Sequence, residues 1–116
     1  MLSWQELKNS PQIIGLIDWE MTPAQAFEAY QIKSIDAWKH RGLEDVYYFY
    51  VSTWQGRGQV ILVRRTMVDS QEIAVAPAPE TLVAACLAAG DGQQYPRGQL
   101  PLDEALRQWL RAELGL

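Results

Sequence analysis

The segment Val46-Tyr-Tyr-Phe-Tyr-Val-Ser-Thr-Trp54 constrains the fold more than any other stretch of the chain. It is aromatic and β-branched throughout, a composition that favours extended backbone. Successive side chains of a strand point to opposite faces. Here both sets are largely apolar, so the strand needs cover on both sides, or cover on one side and a partner on the other. It belongs in the middle of a sheet.

Its neighbours supply that sheet. Gln55-Gly-Arg-Gly58 reads as a turn, and Gln59 to Val68 as a second strand around Val60-Ile-Leu-Val63. Asp69-Ser70 turns the chain into a third strand, Gln71 to Ala76, which completes a three-stranded antiparallel meander. With turns this tight, Tyr48 is expected opposite Arg65, and Glu72 opposite Met67 and diagonal to Arg65.

Helices flank the meander. Ser3 caps a short first helix with Glu6 completing a capping box, Trp4 and Leu7 share its face, and Pro11 stops it. Ile13 to Trp19 is short and β-branched, and reads as an edge strand or a buried extended linker. Thr22, Pro23 and Gln25 open a longer helix that runs towards Lys39–Arg41 and stops at Gly42. Phe27, Tyr30, Ile35 and Trp38 form its apolar arc, with Gln31 and Ser34 inside the same arc. After the sheet, Pro77-Ala-Pro79 opens a helix striped by Leu82, Val83, Cys86 and Leu87 and closed by Gly90. Its alanines, Ala84, Ala85, Ala88 and Ala89, are small enough for close packing. Gly90 to Pro101 reads as a loop, and Asp103 caps a last helix in which Leu106, Trp109, Leu110 and Leu114 share a face. The expected fold is therefore α+β, a single domain over residues 1–116 in the order ααβββαα, with Ile13–Trp19 available as a fourth edge strand.

The length of 116 residues suits one core in two layers. An apolar share of 48% and a charged share of 21% exclude disorder, collagen and coiled coil. The single cysteine makes no intramolecular disulfide, and no CxxC or Cys/His pair offers a zinc site. No metal or other cofactor is expected. No apolar run approaches the ~20 residues of a membrane span, and Met1 to Ser10 is amphipathic rather than signal-like. A cytoplasmic protein with no membrane partner is the expectation. The net charge of −4 and the scattered basic residues argue against nucleic acid. Arg64-Arg65, the basic pair within the sheet, is split between its two faces.

The residues that carry chemistry elsewhere all have a simpler account here. His40 lies at a basic helix end away from the apolar arc, and nothing like GxSxG surrounds a serine. Cys86 lies among Val83, alanines and Leu87 with no cation near it in sequence, so it reads as a core thiol. Of the carboxylate pairs, Asp18/Glu20 and Asp103/Glu104 stand at helix starts and Glu44/Asp45 in a loop. An extended Asp18-Trp19-Glu20 would put both carboxylates on one face, which makes it the most site-like of the three. Gly56/Gly58 and Gly90/Gly92 lack phosphate-cradling spacing. No catalytic residue is assigned, and an enzyme is disfavoured.

What remains is aromatic: five Trp and five Tyr against two Phe. Trp, Tyr and Arg anchor interfaces because they bury much area and keep a polar handle. The expectation is a small non-enzymatic interaction or accessory protein that binds a protein partner, or itself as a homodimer. Its interface candidates are Trp54, Tyr48, Tyr50 and Arg57, with Trp54 beside the Gly56–Gly58 turn expected to be exposed. The alternative is a small-molecule-binding protein or enzyme with a pocket between the 22–41 helix and the sheet, lined by Gln31, Ser34, Tyr48 and Arg65.

Overall fold

The structure is a computed structural model that describes residues 1–20, 45–53, 56–66, 70–89, 99–100 and 103–116. Strands β1 (Asp45–Ser52), β2 (Gln59–Thr66) and β3 (Ser70–Pro77) form the antiparallel meander. Helices α1 (Trp4–Lys8) and α2 (Pro11–Ile14) precede it, and α3 (Glu80–Ala89) and α4 (Glu104–Leu114) follow it. The arrangement is α+β. A fourth strand, β4 (Gln99–Leu100), pairs antiparallel with Val51 and Ser52, so the sheet order is β3-β2-β1-β4.

Two expectations about the flanking segments change. The fourth strand comes from the stretch read as loop between Gly90 and Pro101, not from Ile13–Trp19. Two residues are too few to show a periodic signal, and they are strand only because β1 offers them an edge. Pro11 ends α1 but also occupies the first position of α2, where its missing N–H is no loss. Only Ile17 then joins the sheet, through a parallel bridge to Tyr47 in which the Asp18 N–H donates to the Tyr47 carbonyl at 2.7 Å. The expected 22–41 helix, with its Thr22 cap and Gly42 stop, lies outside the described residues, as does Gly90.

The register also differs. Tyr48 stands opposite Val63, and Arg65 opposite Val46. Glu72 stands opposite Val63 rather than Met67, still diagonal to Arg65, which faces Ser70. The chain between Ser52 and Gln59 is longer than the expected turn, and that slides the pairing. Because Val63 and Arg65 differ by an even step, the side chains of β1 and β2 keep their expected facing. A β-bulge between Leu62 and Val63 inserts Ile73 as the extra residue of β3.

One face of the sheet carries Phe49, Val51, Val60, Leu62 and Ala74, all fully buried. Every described helix packs there: Leu7 of α1, Leu82 and Cys86 of α3, Leu106, Leu110 and Leu114 of α4, with Ile13 and Ile14 of α2 at the margin. The α3 stripe is the expected one. Its alanines do not bury themselves against another element: Ala84, Ala85, Ala88 and Ala89 are exposed. The Leu82–Cys86 spacing fixes which side of the helix faces the sheet, and the alanines fall on the other. The opposite face of the sheet holds Tyr48, Tyr50, Ile61 and Val63, flanked by Val46 and Val75.

Local signals hold the short elements. The Ser3 hydroxyl accepts from the Glu6 N–H, and the Glu6 carboxylate accepts from the Ser3 N–H, both at 3.1 Å. These bonds hold the Glu6 carboxyl below its ordinary pKa. Asp103 caps α4 by accepting from the Leu106 N–H at 2.9 Å. Gly115 ends α4 in the left-handed region at φ 72°, and Leu116 donates back to Arg111 at 2.8 Å. Gly58 has a different task. A Cβ there would lie 2.7 Å from Val83 Cγ2 and 3.3 Å from the Ala78 carbonyl oxygen, so its bare backbone lets α3 approach β2. Gly58→Ala is expected to cost about 1–3 kcal/mol by overpacking. Denaturant unfolding checks this, and an unchanged midpoint would show that the contact can relax.

Candidate functional site

Two tryptophans from distant parts of the sequence converge on Phe49, and a third joins them through Trp4. Trp4 meets it edge-on with ring centroids 6.1 Å apart, and Trp19 lies tilted against it at 5.7 Å. Trp109 packs against Trp4 at 6.0 Å. Such offset and edge contacts add roughly 0.5–1.5 kcal/mol beyond burial. Phe49 is fully buried, whereas Trp4, Trp19, Trp109 and the neighbouring Tyr47 are only partly so. The cluster is thus core on its inner side and surface on its outer side.

Backbone elements bring these rings together. The capping box orients α1 so that Trp4 and Leu7 face the sheet. Lys8 lies beside Gly115, its Cε 3.6 Å from where a Cβ would stand, while Trp4 lies beside Trp109. Helices α1 and α4 therefore meet through side chains at these two places. Arg107 of α4 fixes Trp19: its Nε donates to the Trp19 carbonyl at 3.0 Å, and its Nη2 to Glu20 at 3.3 Å. Its Nη1 lies 3.8 Å from Glu104, which also lies 3.6 Å from Arg111. Glu20 is 85% exposed, so that ion pair contributes no more than about 1 kcal/mol. The bond to the Trp19 carbonyl, made by a mostly buried guanidinium, is what positions the ring.

The site-like carboxylates have structural work. Asp18 turns back to accept from the Glu20 N–H at 2.9 Å, and Glu20 reaches Arg107. Asp103 is the α4 cap, and it accepts a long bond of 3.8 Å from the Cys86 thiol. Burial, reinforced by the negative charge of Asp103, pushes the Cys86 thiol up to about 12. A thiol so placed forms almost no nucleophilic thiolate at neutral pH. Among the described residues no group of three or more His, Cys, Asp or Glu side chains is arranged to hold a metal, and no helix is long and apolar enough to cross a membrane.

The residues singled out in the sequence are distributed as follows. Tyr48 and Tyr50 are buried on the sheet face opposite the helices, their rings 6.1 Å apart. Arg65 is buried on that face too, 8% exposed, and its positive charge acts on the Tyr48 phenol. Arg57 is exposed beside Gly56. Trp54, Gln31, Ser34, His40 and Glu44 lie outside the described residues. Tyr48 and Arg65 are therefore the pocket candidates that the structure brings together. The tryptophan cluster was not legible in the sequence: Trp4, Trp19 and Trp109 each read as one helix's or linker's apolar residue, and only the contacts of Trp4 and Trp19 with Phe49 and of Trp109 with Trp4 join them.

Two of the described groups with shifted pKa, Tyr48 and Cys86, can be followed directly. Burial pushes the Tyr48 phenol above its ordinary value, with Arg65 opposing the shift. An acid kept neutral in the folded chain gives up its proton first in the unfolded chain, so its stability is full below the ordinary tyrosine range and falls as pH rises through it. In an ultraviolet titration Tyr48 is expected to ionise late, together with alkaline unfolding; a Tyr48→Phe variant with an unchanged curve would contradict this. For Cys86, thiol reagents at pH 8 are expected to react only after denaturant is added. Rapid labelling of the native chain would show that the thiol is not enclosed.

Compared with protein-family models, curated proteins and solved structures, the chain matches none.

Proposed function

We propose that this chain is a small recognition protein of the cytoplasm, without a reaction of its own, that binds a protein partner or a second copy of itself through an aromatic surface. The observation that carries this reading is the partly exposed set Trp4, Trp19 and Trp109 around Phe49. Tryptophan is the residue most enriched among interface anchors, because a large ring desolvates at little conformational cost. Rings already packed on one side are rigid, so binding orders them little further. The Tyr48 and Tyr50 candidates are less available, being buried within the chain.

The sheet edges bear on how self-association would occur. Leu2 occupies the outer side of β3 through a parallel bridge to Ala74, its N–H donating to the Ile73 carbonyl at 2.7 Å. The outer side of β1 is taken at Tyr47 by Ile17 and at Val51–Ser52 by β4. Strand-to-strand pairing at these positions would have to displace these segments, which favours a side-chain contact through the tryptophans.

A second reading, small-molecule binding, draws on Tyr48 and Arg65. A buried arginine beside a tyrosine on a largely apolar face could supply the few polar groups that orient a small ligand. The two readings separate in one experiment. Affinity capture from the native cell extract is run with the natural chain and with Trp19→Ala, alongside thermal melting with a panel of metabolites. The proposal expects a partner that Trp19→Ala binds roughly tenfold or more weakly, with Trp19→Phe restoring much of the loss while both variants stay folded. Capture unaffected by Trp19→Ala would remove the tryptophans from the interface. Stabilisation by a metabolite that Arg65→Met abolishes would favour the second reading.

A further inference from the structure

We draw no further inference here: the strongest candidate, the buried Tyr48–Tyr50–Arg65 face of the sheet opposite the helices, already belongs to the ligand-binding reading above, and nothing among the described residues shows what covers it.

Discussion

The pairing of β1 with β2 is the interaction on which the rest of the fold depends. It runs unbroken from Asp45↔Thr66 to Ser52↔Gln59 and is buried on both faces. Phe49, Val51, Val60 and Leu62 have no exposed surface, and Tyr48, Tyr50, Ile61 and Val63 have 4–8%. Removing one large side chain from such a site leaves a cavity as well as a lost transfer energy; Phe to Ala at core positions costs about 3–5 kcal/mol. The two faces differ in chemistry. The fully buried part of the helical side is apolar, while the other face carries the Tyr48 and Tyr50 hydroxyls, Ser52 and Arg65, groups that burial makes costly unless they are satisfied.

The first twenty residues tie this sheet together from one edge to the other. Leu2 joins β3 at one side, Leu7 is fully buried beneath the sheet, and Ile17 joins β1 at the other side. Arg107 then holds the Trp19 backbone against α4. An exposed strand edge invites pairing with other chains. Here the bulge at Ile73, the missing N–H of Pro77 and the Leu2 bridge all blunt β3. These features favour the proposed binding through side chains over binding by added strands.

The sequence carried the meander because its signals are local. Aromatic and β-branched runs, a glycine-containing turn and capping residues at Ser3 and Asp103 each act within a few positions. The core of α4, Leu106, Leu110 and Leu114, followed from helical spacing alone. The misreadings concern relations between segments. β4 exists only through its partner, and the register depends on the path between Ser52 and Gln59 rather than on composition. The outward alanines of α3 were misjudged because small size permits close packing without requiring it. The Asp18/Glu20 pair looked site-like until Arg107, which is 87 residues away from Glu20 in sequence, proved to be its neighbour. The tryptophan cluster was hidden for the same reason, since single residues on separate helices, a strand and a linker give no shared pattern. The chain's surplus of Trp over Phe, by contrast, is the trace such a cluster leaves in composition.

If the doubly buried β1–β2 ladder is what holds the molecule, its amides must open only with the whole fold. Native-state hydrogen exchange measured residue by residue tests this most directly. The account predicts that Phe49, Val51, Val60 and Leu62 exchange slowest, at the rate set by global unfolding, while α1, α2 and the Leu2 bridge open earlier. Slowest exchange in α4 with faster opening of β1 and β2 would contradict it, and would make the helical layer the foundation instead.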